Sequence, residues 1–143
     1  MTTKERIKQT MENWKFPVLQ ETDNSIVFRY QMNYIQANVT GSEGSSAIVL
    51  TLSGIFTADD DKEMLLAMRT CNELNCQLLQ AKLYIDSDSD LIIASEFFYD
   101  EPGDFERVLN LSLQGLVIAK KRFIQKYKEL EDEAKLISEL EQE

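Results

Sequence analysis

The sequence predicts an α+β domain in which helices pack on a single antiparallel β-sheet, in the order α-β-β-β-β-α-β-β-α. Two observations lead to this fold class. Apolar residues alternate with polar ones in several short runs separated by brief polar turns, which is typical of an antiparallel meander. Other segments repeat apolar residues every three or four positions, which is typical of amphipathic helices. The chain of 143 residues, 43% of them hydrophobic, is long enough to form one domain with its own core.

The first half of the chain is predicted to contain one short helix and four strands. Thr2 and Glu5 have the spacing of a capping box, and Ile7, Met11 and Trp14 fall on one face of the helix that follows. A proline soon afterwards ends this helix, because the residue before a proline avoids the α-helical conformation. The first strand is predicted from a short run at Val18–Glu21, and the second from the alternating residues Ile26, Phe28 and Tyr30. The third is predicted from Ile35, Ala37 and Val39. A hairpin loop at residues 41–46 leads to the fourth, which is predicted from Ile48, Leu50 and Leu52.

The second half is predicted to contain two helices that flank a strand hairpin. The second helix starts in the acidic segment 57–61, and its buried stripe is expected to consist of Met64, Leu65, Met68 and Cys71. The remaining elements are a strand at 81–85, an acidic turn at 86–90, a strand at 91–99 and a long helix from about residue 104, introduced by Pro102 and Gly103.

The chain is expected to form a single domain over residues 1–128, followed by an acidic helical tail at residues 129–143. Apolar residues at a 3–4 spacing continue along this tail, which is typical of a coiled-coil arm or a docking helix. The alternative is a frayed tail, which the acidic C-terminal end favours because it opposes the helix dipole. We expect packing through Tyr127 and disorder that grows beyond Leu136.

Charge and composition exclude several classes of function. The chain has 15 basic and 25 acidic residues, a formal net charge of −10. Such a chain is repelled by phosphate groups, so we expect no nucleic-acid partner and no membrane binding. With no histidine, neither Ser-His-Asp nor Cys-His catalysis is available. The polar N-terminus, which lacks a signal-peptide pattern, and two cysteines that are not placed for an intrachain disulfide predict a cytoplasmic protein.

The acidic clusters are the candidates for metal binding. Asp86, Asp88 and Asp90 have the spacing that opens an EF-hand loop, but the sixth and twelfth positions of that pattern are apolar here. The acids at 59–61 lie at a predicted helix start, where carboxylates cap free amides and complement the helix dipole. We therefore interpret both clusters as local structure, and we expect neither a metal ion nor a cofactor.

Three polar residues of the second helix are candidates for a more specific role. Cys71 lies on the predicted apolar stripe without a histidine to activate it, so we expect a core residue rather than a nucleophile. Asn72 and Asn75 fall near the same stripe on a helical wheel. Because a buried amide is costly unless it is hydrogen-bonded, we expect these two asparagines to be structural polar anchors that fasten nearby backbone to the helix. Contact with a ligand is the alternative.

The predicted strand at 91–99 is apolar on both faces, so we expect both faces to be covered. The cover is either the protein's own helices or a partner subunit. Twofold pairing is the commonest form of self-association, and each buried aromatic side chain would contribute about 1.5–3 kcal/mol, so we expect a homodimer. The residues of this candidate dimer or partner surface are Ile92, Phe97, Phe98 and Tyr99.

The segment from Met68 to Asn75 carries a family resemblance. An Asn-x-x-Asn helix end after an acidic start, followed by a strand hairpin and a long helix, resembles the YbjN-like family. These small bacterial proteins are described as proposed sensory transduction regulators, and their fold is similar to that of type III secretion chaperones. The resemblance covers residues 16–128 and carries no catalytic residues. A hairpin turn that often reads Asp-Gly in the family is Asp88-Ser89-Asp90 here.

The resemblance and the composition together imply a non-enzymatic, cytoplasmic, protein-binding or regulatory adaptor that acts on an unidentified protein partner. Secretion chaperones of this shape are small acidic dimers that hold extended segments of other proteins. The alternative is a small-molecule sensor or an enzyme with a pocket between the sheet and the helices. A deep pocket with convergent polar groups would favour the alternative, whereas an exposed apolar groove would favour peptide binding.

Overall fold

A computed structural model describes residues 1–42, 45–100 and 103–142 of the chain. The predicted order of helices and strands is confirmed, and so is the α+β fold class. The predicted hairpin loop at 41–46 lies partly outside the described residues, and Pro102 lies wholly outside them. The elements are α1 (Thr3–Asn13), β1 (Val18–Glu21), β2 (Ser25–Tyr30), β3 (Asn33–Ser42), β4 (Ser45–Leu52), α2 (Asp61–Asn75), β5 (Ala81–Ile85), β6 (Leu91–Asp100) and α3 (Phe105–Glu141).

The six strands form one sheet in the order β1-β2-β3-β4-β6-β5, and every neighbouring pair is antiparallel. Because directly paired residues lie on the same face, the register places Ile26, Ala37, Leu50 and Ser95 in one buried row across four strands. All three helices contribute side chains to the core that this face forms. The sheet therefore has one face covered by helices and a second, outward face.

The N-terminal helix α1 has the cap that the sequence predicts. The Thr2 hydroxyl accepts a hydrogen bond from the Glu5 amide (3.1 Å), and the Glu5 carboxylate accepts one from the Thr2 amide (2.9 Å). Ile7 and Met11 are fully buried against the sheet. This placement follows from their one-turn spacing, which presents both side chains to the same neighbour.

The predicted buried stripe of α2 is wrong in part. Leu65 is 69% exposed and Met68 is 54% exposed. The run of five apolar residues at 64–68 surrounds the helix, so the wheel shows no distinct polar side there and the buried face cannot be read from it. Packing against β5 and α3 selects a face made largely of smaller side chains. The buried residues of α2 are Leu66, Ala67, Thr70, Cys71 and Leu74.

The long helix α3 is continuous across the predicted domain boundary at residue 128 and ends at Glu141. Its packed part extends past Tyr127, where we expected it to stop, because Leu130 is only 2% exposed.

Lys120 interrupts the apolar stripe of this helix for a local reason. Its ammonium group donates a 2.6 Å hydrogen bond to the side chain of buried Asn33, which holds the β2–β3 turn. Within the described residues, none of the helices combines the length and the hydropathy that a bilayer-spanning segment needs.

Candidate protein-binding surface

The outward face of the sheet is defined by the strand pairing. Val27, Gln36, Thr51, Ala94 and Lys82 form one row of directly paired residues across this face. In the described part of the chain, the core that the helices form with the sheet contains the residues of the opposite face. The outward face is therefore open to a partner.

Aromatic side chains stand at the margins of this open face. Phe98 is 87% exposed, Tyr34 is 56% exposed and Tyr84 is 43% exposed, while Ile92 beside Tyr84 is half-buried. The middle of the face is formed by the small side chains Ala47, Val49, Thr51 and Ala94. A large exposed aromatic residue next to a flat surface of small residues is typical of a protein contact, because binding removes the ring from water.

The structure corrects the predicted composition of the dimer or partner surface. Tyr99 is only 4% exposed, its hydroxyl donates to the Gly103 carbonyl (3.1 Å), and its ring packs edge-on against Phe105. Phe97 is half-buried and packs against the same core. The protein's own helices cover the inward face of β6, so a partner subunit remains the predicted cover of its outward face. Only Ile92 and Phe98 of the four predicted residues lie on the open one.

The charges on the open face balance one another. Lys82 and Glu96 form a 2.6 Å ion pair across β5 and β6, and the hydrogen bond to Glu96 raises the pKa of Lys82. The Arg29 guanidinium lies 5.9 Å from the centre of the Tyr34 ring. Asp100 is also exposed on this face. The outward residues of strands β2 to β6 therefore carry two positive charges, on Arg29 and Lys82, and two negative charges, on Glu96 and Asp100. The face is thus formally neutral on a chain whose net charge is −10.

Asn75 forms two hydrogen bonds to the edge strand β5. Its amide nitrogen donates to the Leu83 carbonyl (2.9 Å), and its side-chain oxygen accepts from the Leu83 amide (2.8 Å). The side chain thereby pairs with both outward-pointing backbone groups of Leu83, as a seventh strand would. Asn72 is exposed, and among the described residues it has no hydrogen-bond partner. Of the two predicted anchors, Asn75 contacts backbone in this structure and Asn72 does not.

We expect Asn75→Ala to lower the free energy of unfolding by about 1–2 kcal/mol, because two neutral hydrogen bonds are lost. Urea unfolding followed by circular dichroism measures the change. Asn72→Ala is the matched control, since it removes the same group from the same helix without removing a protein contact, and it should be neutral. Equal stability of the two variants would contradict an anchoring role for Asn75.

The Asp86–Asp90 turn brings three carboxylates together. Oxygens of Asp86, Asp88 and Asp90 lie within 4.8 Å of one another. One Asp86 oxygen already accepts hydrogen bonds from the backbone amides of Asp88 (2.9 Å) and Asp90 (3.0 Å). Ser89 in this turn has a φ of +66°, a conformation that favours the glycine often found in the resembling family. The cluster is accounted for by the turn that it forms.

We expect EDTA to leave the melting temperature unchanged, because backbone amides already donate hydrogen bonds that hold the acidic turn. Differential scanning fluorimetry with EDTA, and then with added calcium, tests this. A fall of several degrees that calcium reverses would identify the turn as a metal site.

Two clefts open at the surface of the described part of the molecule. One of about 400 Å³ lies between α2 and β5, beside Met68, Asn72 and Tyr84. Another of about 480 Å³ lies between α2 and α3, beside Leu65 and Ala134.

Sequence reasoning did not identify Tyr34 or Tyr84 as surface residues. The available signal was an aromatic residue at a polar position of an alternating strand.

No protein-family description and no curated protein sequence matches the chain. Three solved structures are similar to it. YbjN from E. coli, a proposed transcription regulator, is 10% identical with a TM-score of 0.54, and the match covers 81% of this chain and 87% of that one. An uncharacterized protein from Methanothermobacter thermautotrophicus is 15% identical with a TM-score of 0.56, and the match covers 88% of this chain and 96% of that one. A chain of the heterodimeric ExoU–SpcU complex from the type III secretion system of Pseudomonas aeruginosa is 16% identical with a TM-score of 0.53, and the match covers 84% of this chain and 96% of that one. The chain therefore has a YbjN-like fold, and its architecture is shared with that secretion complex.

Proposed function

We propose that this protein is a non-enzymatic cytoplasmic adaptor that acts by binding other proteins, as a regulator or a chaperone does. The observation that carries the proposal is the open, neutral face of the sheet, from which Phe98 projects with 87% of its surface exposed. Two of the similar structures support it, because one is a proposed transcription regulator and another is a complex between two different proteins.

A second copy of the chain is the first occupant that we propose for this face. Two copies with a charge of −10 each repel one another at long range. A neutral contact surface avoids adding to that repulsion, and salt screens the remainder over about 8–10 Å. Burial of Phe98 and Ile92 across a twofold axis would then stabilise the pair.

A sensor or enzyme with a pocket between the layers is less well supported by the structure. The cleft of about 400 Å³ between α2 and β5 opens at the edge of the sheet. In the part of the chain that is described, the interior between the sheet and the helices is filled by side chains such as Phe28, Leu50, Leu113 and Phe123, which are at most 1% exposed. A ligand there would have to displace close-packed core residues.

The experiment that tests the function is affinity capture of the tagged protein from cells that express it natively. Three forms are compared: the unchanged chain, Phe98→Ser, and Leu79→Ser as a control that removes a side chain of similar exposure (89%) outside the sheet. We expect the untagged native copy of the chain to be retained, with any other protein that binds the sheet face, by the unchanged chain and the Leu79 variant and to be lost by the Phe98 variant. Retention by all three forms would refute the proposed surface, and enrichment of no protein would refute the adaptor function.

A further inference from the structure

An apolar groove lies between the beginning of α2 and the end of α3. The two helices run in opposite directions here, since Gln77 contacts Arg122, whereas Arg69 contacts Glu133. The groove has a volume of about 480 Å³. Its apolar lining consists of Leu65, Leu66 and Ala134, and its polar lining consists of Asp61, Lys62 and Arg69.

The apolar surface continues beyond the groove along α3. Ile137 follows Ala134 by one helical turn and is 49% exposed, and Leu140, one turn further, is 61% exposed. Leu65 on the facing helix is 69% exposed. At 1.5 Å per residue, the end of α3 extends about 10 Å past Ala134. Together these side chains form a strip long enough to receive about two turns of another helix.

This end of the molecule carries most of the negative charge. Residues 59–63 contain four acids and one lysine, and residues 128–142 contain six acids and two lysines. With Arg69, the formal charge of this end is −6, out of −10 for the whole chain. Arg69 is paired with Glu73 (3.4 Å) and Glu133 (3.9 Å). Lysine side chains likewise pair with Glu129, Glu131 and Asp132. Among the described residues, Asp61 at the groove and Glu139 and Glu141 at the end of α3 form no ion pair, so this end keeps unpaired carboxylates.

We infer that this groove binds a basic amphipathic helix of a partner protein. The apolar side of such a helix would cover Leu65 and Ile137. Its lysine or arginine side chains would face Asp61, which lines the groove, and Glu141, which lies one turn beyond Ile137 on the same side of α3. The apolar contact supplies the affinity, and the opposite charges supply orientation and rapid association. A second copy of this chain does not fit, because it would bring two ends of charge −6 together. The inference rests on the proposed protein-binding function but uses a different surface.

The probe that tests the inference is a labelled synthetic peptide of leucine and lysine, about five helical turns long, with leucines at a 3–4 spacing. Fluorescence anisotropy measures its dissociation constant with the intact chain. We expect the double variant Leu65→Ser with Ile137→Ser to bind about tenfold more weakly, which corresponds to the loss of part of two buried side chains. The matched control, Leu79→Ser with Leu111→Ser, removes two exposed leucines elsewhere and should bind as the unchanged chain does.

Charge variants and a scrambled peptide separate this site from general attraction to an acidic protein. We expect Asp61→Asn with Glu141→Gln to weaken binding, and Glu12→Gln with Glu106→Gln to leave it unchanged. The inference would be overturned if the scrambled peptide bound as tightly as the amphipathic one. It would also be overturned if either control double variant lost as much affinity as the matching groove variant. The Phe98→Ser variant should bind the peptide normally. If the peptide does not bind the unchanged chain, the groove is not a binding site for a basic helix. If Phe98→Ser also loses the captured protein in the affinity experiment, the function proposed for the sheet face still stands.

Discussion

Phe98→Asp is expected to convert a dimer into a monomer. Static light scattering at micromolar concentration in moderate salt should give a mass near twice 16.5 kDa for the unchanged chain and near 16.5 kDa for the variant. A charge at this position would be buried against a second copy without a partner, in place of an aromatic ring that contributes about 1.5–3 kcal/mol on burial. Leu79→Asp is the control, since it adds the same charge at an equally exposed site outside the sheet.

The salt dependence gives this prediction a second readout. Because the contact surface is neutral and the two chains repel, the dimer should become tighter as salt is added, until screening is complete. Binding of a basic peptide to the acidic groove should weaken under the same change. A mass near 16.5 kDa for the unchanged chain would exclude the dimer, and a dimer that survives Phe98→Asp would exclude this face as its interface.

Cys71 is expected to react with a thiol reagent about a hundredfold more slowly than Cys76. Burial raises the pKa of the Cys71 thiol to about 11, and the side chain is only 5% exposed, whereas Cys76 is exposed. At pH 8 the thiolate, which is the reactive form, is therefore scarce at Cys71. Mass spectrometry of the native protein after brief alkylation measures the two sites separately.

A Cys76→Ser variant isolates the slow site, and its alkylation rate should keep rising with pH up to about 11, because the thiol titrates only near its raised pKa. Full denaturation in urea should remove the difference between the two cysteines. Rapid alkylation of Cys71 in the native state would instead mark an accessible, activated nucleophile and would favour the enzymatic alternative.

The neutral sheet face and the acidic groove lie on different parts of the molecule and differ in chemistry. The sheet face, with Phe98, suits a second copy of the same chain, whereas the groove beside Leu65 and Ile137 suits a basic partner. An adaptor that pairs through one surface and binds through the other would present two partner sites on each dimer. The two sets of variants allow each surface to be removed while the other is kept.

The sequence by itself determined the order of the elements, the class of fold and most inward strand positions. Alternation such as Ile26, Phe28 and Tyr30 has a period that only a half-buried strand satisfies, so local pattern was sufficient. The capping box of Thr2 and Glu5 was equally readable, because its partners are three residues apart.

Only the tertiary structure decided which faces of α2 and β6 are covered. Residues 64–68 of α2 are apolar on every side and much of β6 is apolar on both faces, so their sequence is compatible with several orientations, and the packing of neighbouring elements selects one. That selection buried Tyr99 and exposed Phe98, and it turned Leu65 towards solvent. Contacts between residues far apart in the chain, such as Lys120 with Asn33, are likewise absent from any local pattern. They depend on where the fold brings distant segments together, which spacing along the chain does not encode.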